Sequence, residues 1–264
     1  MGHMASLSVK TINGLTRGLE VRRLLSEGSS TRLADLHRAT GIPKASLLRI
    51  LATLERCGEA RRIGGNGEWV ACAVGATPAG VSAASQSLLA RLDETLAELA
   101  RALPWPSDAA IRHGPRMRVV ASNRALFGKT WRRAVIGQEI DMLRSAMGRT
   151  WLAFSGTRER DALLKQLIPS GASFQARRTA ALPELAAVRE RGYGLRDPFY
   201  SGPDADEDAQ LSAFAVPVLG DDGVLACISC VWNTGVSDTP RVLQTCLVPL
   251  VRGAARIEYR HSAG

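Results

Sequence analysis

Along the first third of the chain, apolar residues recur at spacings of three and four, the signature of amphipathic helices. The run TRGLEVRRLLSEG predicts a first helix, with Leu15, Leu19, Leu24 and Leu25 inward and Arg22 and Arg23 outward. SSTRLADLHRATG predicts a second. Its serines and threonine offer capping hydroxyls, Leu33 and Leu36 share one side, and Gly41 ends it. Pro43 suits the opening of a third helix, from about Lys44 to Cys57. There Leu47, Ile50, Leu51 and Leu54 form the inward stripe, while Ala45, Arg49, Ala52 and Arg56 project from the opposite side. ARRIGGNGEWVAC then reads as a hairpin turning through Gly64, Gly65, Asn66 and Gly67. These elements fill a first domain over residues 7–75.

A helical pattern continues from about Thr77 to Leu103, giving a linker helix over residues 76–103. Its stripe of Leu88, Leu92, Leu96 and Leu99 must be covered by another domain or another protomer. The period then changes. AAIRH, RMRVVAS, LSAFAVPVL and GVLACISCVW read as strands, the last two joined by GDDG. Helices are predicted near Gly148–Phe154, Glu159–Leu167 and Leu182–Arg191, with a closing helix from about Pro240 to Tyr259. The expected fold is an α/β two-domain protein whose second domain, residues 104–260, contains an antiparallel sheet.

Charge sharpens the picture. Of a net +9, residues 1–78 carry 11 Lys and Arg against 6 Asp and Glu, so over half the excess lies in under a third of the chain. That asymmetry favours an anionic partner for the first domain. No apolar run reaches 18 residues, so no membrane partner is expected and a cytoplasmic location is the default. The opening MGHMAS resembles an expression tag, and His3 is set aside.

Candidate chemistry is sparse. The five cysteines show no disulfide framework. Cys227 and Cys230 have CxxC spacing within a strand, which points them to opposite faces, so they read as buried thiols and no metal site is expected. DADEDAQ lacks the glycine and final glutamate of a calcium loop and reads as an acidic helix start. GGNG is followed by a strand pattern, not the helix a dinucleotide site needs. Without a nucleophile elbow, HExxH or phosphate loop, the chain reads as non-enzymatic, with no cofactor.

Helix, Gly-containing turn, helix and two-stranded wing together describe a winged helix-turn-helix. The third helix begins with small side chains and carries a central arginine, a shape that enters a major groove of double-stranded DNA. Arg49 is the candidate for a bidentate guanine contact and Ala45 for a thymine methyl, with Lys44 and Ser46 at the groove edge or phosphates. Arg61 and Arg62 at the wing are either phosphate contacts or solvated residues, and His37 reads as an ordinary surface residue.

The segments LTRGLEVRRLL, LADLHRATGIPKASLLRILATLERCGEARR, GQEIDMLRSAMGRTWLAF, AAVRERGYG and AFAVPVLGDDGVLACISCVW resemble the IclR family of bacterial transcriptional regulators, over nearly the whole chain. The resemblance implies a DNA-binding domain, a GAF-like effector domain and a homodimer or homotetramer paired near the DNA-binding domains. GLTRGL and MGRTWLAF echo, within that family, the activators of 3-(3-hydroxyphenyl)propionate catabolism. It further implies an effector pocket lined by Leu143, Ser145, Ala213, Ser229 and Val231. Ser145 is a plausible helix N-cap, and free N–H groups at such a terminus suit a carboxylate. Ala213 and Val231 stand where the family offers a cysteine and a second serine, pointing to an aromatic acid as effector. Trp131 is either an aromatic wall or core, and Arg132, Arg133 or Arg149 either pairs with the acid or is solvated. The expected function is an activator of an aromatic-acid catabolic operon. The alternatives are a repressor of small-acid metabolism and an architectural DNA-binding protein without effector.

Overall fold

The computed structural model describes residues 12–27, 31–63, 67–71, 83–128, 131, 135–168, 172–200, 202 and 210–261. In the N-terminal unit, α1 (Asn13–Glu27), α2 (Leu33–Thr40) and α3 (Lys44–Arg56) enclose a core of Val21, Leu25, Leu36, Ile42, Leu47 and Leu51. Trp69 closes it from a small antiparallel sheet of β1 (Thr31–Arg32), β2 (Ala60–Ile63) and β3 (Glu68–Ala71), in order β1-β3-β2. Gly41 ends α2 at φ +68°, donating its N–H to the His37 carbonyl at 2.9 Å. Of the expected hairpin turn, Gly64, Gly65 and Asn66 lie outside the described residues, and Gly67 has φ +74°.

Two sequence expectations for this unit need correction. Thr31 does not cap α2: with Arg32 it pairs with Trp69 and Glu68 as a third wing strand, and α2 starts after Arg32 without a side-chain cap, while Ser29 and Ser30 lie outside the described residues. Leu15 and Leu19 are not inward. They are 59% and 57% exposed, while Val21 and Leu25 fill the core and Leu24 is half-buried. The two apolar pairs lie about 120° apart around the helix, and contact with α3 and β3 selects one of them.

The second unit is built on α4 (Ala83–Ala102), β4 (Ser107–His113), β5 (Arg116–Ser122), β6 (Glu139–Asp141), α5 (Ala146–Phe154), α6 (Thr157–Leu167), α7 (Ala172–Arg191), β7 (Gly194–Leu195), β8 (Leu211–Gly220), β9 (Gly223–Asn233) and α8 (Thr239–His261). The strands form one antiparallel sheet in order β6-β5-β4-β9-β8-β7. α4 and α8 cover one face, and α5 backed by α7 covers the other. Cys230 is buried on the first face and Cys227 on the second, as strand alternation requires. The α4 stripe of Leu92, Leu96 and Leu99, extended by Leu103 beyond its end, is buried on the sheet and α8, with Leu88 packed alongside. The expected partner for that stripe is therefore this chain's own second unit. The acidic run DADEDAQ, at 204–210, lies outside the described residues except Gln210.

α5 is seated without side chains where it meets the backbone. A Cβ on Gly148 would lie 2.4 Å from Met142 Cα, and one on Gly194 would lie 2.5 Å from Thr150 Oγ1. Thr150 Oγ1 donates to the Ala215 carbonyl at 3.0 Å and accepts from Gly194 N–H at 3.0 Å, pinning helix to sheet. Gly148→Ala therefore forces backbone apart, with an expected loss of about 1–3 kcal/mol. Urea denaturation measures it, and unchanged stability would contradict this close seat for α5.

Candidate functional site

Two regions carry candidate chemistry. The first is the outer face of α3. Leu47 and Leu51 are fully buried, which turns Lys44, Ala45, Arg49, Ala52 and Arg56 outward, with Ser46 half-buried. Leu48, absent from the sequence reading, is 50% exposed on this face because it follows Leu47 around the helix. Among the described residues no carboxylate pairs with Lys44, Arg49 or Arg62. Arg62 is exposed on β2, opposite Trp69. Ser46 and Arg49 also border a groove of about 780 Å³ between α3 and α1, walled by Leu15, Leu19, Ile50 and Leu54.

Arg61 differs. It makes a two-pronged ion pair with Asp93 on α4, with Nη2 donating to Oδ1 at 2.9 Å and Nη1 to Oδ2. Both side chains are mostly buried, 18% and 10% exposed. Burial pushes the Asp93 carboxyl above its usual range, against the pull of the Arg61 guanidinium. The reading of Arg61 as an available phosphate contact is therefore corrected for the protein alone: its charge is already engaged.

The second region is a cavity between the sheet and the N-terminus of α5. Ser145, Ala213, Ser229 and Val231, expected from the sequence, line it together. Ser145 caps α5: its Oγ accepts from Gly148 N–H at 3.0 Å and donates to the Asp141 carbonyl. Three expected residues are not in the lining. Trp131 packs edge-on against Trp105, with ring centres 6.2 Å apart, and Leu143 packs against the α5 side of the core. Arg149 is consumed structurally, donating to the Leu143 and Leu195 carbonyls at 2.8 and 3.1 Å and pairing with Asp197 at 3.4 Å. Arg132 and Arg133 lie outside the described residues.

The rest of the lining escaped the sequence reading. Val119, Val135, Ile140 and Met147 supply apolar wall, Gln138, Arg196 and Tyr200 line it too, and Asp108 and Arg124 form a buried ion pair. Arg124 donates Nε to Asp108 Oδ2 at 3.0 Å and Nη2 to the same oxygen at 2.7 Å, while Ser122 Oγ donates to Oδ1 at 2.7 Å. Asp108 is 2% and Arg124 7% exposed. The β4–β5 pairing breaks register between Ala109 and Ala110, beside Asp108. The one sequence signal available was a charge on each side of strand RMRVVAS, at Asp108 and Arg124, and nothing in the spacing says that they meet. The free space is about 50 Å³, room for one or two waters. An aromatic ring therefore enters only if the wall moves.

Comparison with known proteins follows this division. Residues 14–64 match the IclR helix-turn-helix domain, and residues 81–257 match the bacterial transcriptional regulator IclR C-terminal domain. The chain is 26% identical over 196 residues to the acetate operon repressor of Salmonella typhimurium, covering 70% of this chain and 69% of that protein. The same figures hold for the transcriptional repressor IclR of Escherichia coli. Among solved structures, an IclR family transcriptional regulator from Brucella abortus aligns with TM-score 0.54 at 21% identity, covering 97% of this chain and 94% of that one. An IclR homolog from Microbacterium hydrocarbonoxydans, complexed with 4-hydroxybenzoate, aligns with TM-score 0.53 at 19% identity, covering 96% and 100%. The protein belongs to the IclR family of bacterial transcriptional regulators.

Proposed function

We propose that this regulator is a DNA-binding repressor whose hold on its operator is set by a small organic acid in the sheet–α5 cavity. The observation that carries the DNA half is the outer face of α3, where Lys44 and Arg49 stand beside small side chains and without carboxylate partners among the described residues. Arg49 reads base edges, Lys44, Ser46 and Arg62 hold phosphates or groove edge, and Ala45 with Leu48 meets thymine methyls. Repression is favoured over the activation expected from GLTRGL and MGRTWLAF, because the Salmonella and Escherichia relatives described above are named repressors. Activation of an aromatic-acid operon is the second reading. It draws on those two motifs and on the largely apolar wall.

The C-terminal sheet with helices on both faces supports a GAF-like description of the effector domain. Because the cavity holds about 50 Å³, ligand entry and wall displacement are one event. An effector that favours the opened arrangement shifts the protein toward it, and one indifferent to arrangement shifts nothing. The exposed Ile12, Leu15 and Leu19 support pairing of two copies through α1, which brings two reading heads to a palindromic site.

Titration against fragments of the protein's own upstream DNA at several salt concentrations tests the reader. Arg49→Ala is expected to lose about 1–3 kcal/mol of preference between sites while keeping non-specific binding. No preference for any fragment in the wild type would end the proposal. Adding 4-hydroxybenzoate, pyruvate or glyoxylate, with transcription from the adjacent promoter as readout, separates repressor from activator by the sign of the response. No response to any acid points to a protein without effector control.

Arg61 gives a separate prediction. Arg61→Ala leaves the salt dependence of binding unchanged, since that charge is held by Asp93. Asp93→Asn releases it and steepens the slope of log K against log salt by about 0.9. A flatter slope in Arg61→Ala than in wild type would show Arg61 on phosphate after all. Leu15→Glu with Leu19→Glu is expected to convert the oligomer to monomer by light scattering and to weaken operator binding in parallel.

A further inference from the structure

We infer that Arg124, held in place by Asp108, reads the acid group of the effector, and that the cavity selects a monoanion with an apolar body. This rests on the reading of the cavity as the effector site, and it deepens that reading by assigning the recognising charge. Arg124 spends Nε and Nη2 on Asp108. Its Nη1 is buried and has no hydrogen-bond partner among the described residues. A guanidinium N–H withdrawn from water without an acceptor is unfavourable, and a ligand oxygen relieves it with a charge-assisted bond.

The second observation lies across the same cavity. Ala146 and Met147 open α5 and line the space with Arg124. The Ser145 hydroxyl takes the Gly148 amide, and Arg149 N–H goes to the Ser145 carbonyl. The first two amides of the helix have no acceptor among the described residues. A carboxylate with one oxygen on Arg124 Nη1 and the other toward those amides satisfies both sets of donors. The buried Arg124 marks this helix terminus as a built site.

Charge and shape set the selectivity. The described lining carries two guanidinium groups, Arg124 and Arg196, against the single carboxylate of Asp108. The apolar wall that a ligand body meets includes Val119, Val135, Ile140 and Val231, with Gln138 and Tyr200 beside it. The lining thus carries a net charge of +1, which one carboxylate neutralises, whereas a second adds an uncompensated charge to a space with a largely apolar wall. Asp108 is a positioning residue: with Ser122 it fixes the guanidinium plane and so the direction of Nη1.

Calorimetric titration of the full chain tests this with benzoate, hexanoate and pyruvate, the amides of the first two, and phthalate. The wild type is expected to bind benzoate or hexanoate at least about tenfold more tightly than its amide, and more tightly than phthalate. Arg124→Lys keeps the charge but lacks Nη1, and reduces the acid-over-amide ratio by about tenfold. The double variant Asp108→Asn, Arg124→Gln replaces the ion pair by a neutral hydrogen-bonded pair and brings the ratio close to one, with folding checked by thermal melting. An undiminished ratio in a folded variant overturns the role of Arg124. If neither variant folds, the wild type alone decides, because equal affinity for acid and amide overturns it as well. Acid binding that depends on Arg124 but leaves operator affinity unchanged keeps this inference and defeats the regulatory reading. No binding of any carboxylate defeats both.

Discussion

A carboxylate and a guanidinium taken out of water together must be paired closely, because each loses several kcal/mol of hydration that only mutual contact and further hydrogen bonds offset. Asp108 and Arg124 impose that condition on the effector domain. Asp108 sits on β4 and Arg124 in the turn after β5, so the pair closes only if the β4–β5 register is correct, including the irregularity at Ala109 and Ala110. Ser122 adds a donor from β5, and Ser229 donates from β9 to the Asp108 carbonyl at 3.3 Å. Three strands and a turn thus converge on one buried charge pair, and the cavity is the space that the arrangement leaves in front of it. Next to it, Asn123 accepts from Ser107 N–H at 2.6 Å and donates to the Leu96 carbonyl at 2.7 Å, tying α4 to the same end of the sheet.

The opposite rim of the cavity is held by a different device. α5 meets the chain around Met142 and Gly194 where glycine leaves no Cβ, and Thr150 bonds it to β8 and β7. A helix seated so closely moves as a body with the sheet rather than tilting on its own, because packed interiors resist gradual deformation. Room for a larger ligand must therefore come from the wall of Val119, Val135 and Ile140, or from Tyr200. Tyr200 is braced instead by Asp141 N–H on its hydroxyl and by the Arg196 guanidinium 5.0 Å above its ring.

Between the two units, Arg61 and Asp93 join the wing to α4 through a mostly buried ion pair. The helix that carries Asp93 is also the one that Asn123 and the Leu92–Leu103 stripe fix to the effector sheet. A continuous set of contacts therefore runs from the floor of the cavity to the base of the wing. Contiguity is a physical route for coupling; it acquires regulatory meaning only through two arrangements that ligand and DNA favour differently.

Much of this was legible in the amino-acid pattern, because local periodicity reports local geometry. The stripe of α3, the outward set of Lys44, Ala45 and Arg49, the opposite-facing Cys227 and Cys230, and the Ser145 cap all follow from 3.6 and 2.0 residue periods or from capping chemistry. Wherever two local solutions were equivalent, only the tertiary structure chose. α1 has two apolar pairs, and packing on Trp69 and α3 buried Val21 and Leu25 while leaving Leu15 and Leu19 outside. Arg61 and Arg62 are neighbours of the same type on β2, yet strand alternation and the reach of Asp93 engaged one and exposed the other. The pocket divided in the same way. Ser145, Ala213, Ser229 and Val231 came from family likeness, but Asp108 and Arg124 are 16 residues apart and belong to no motif. Their meeting depends on how an antiparallel pair folds back on itself, a long-range fact that no local period encodes.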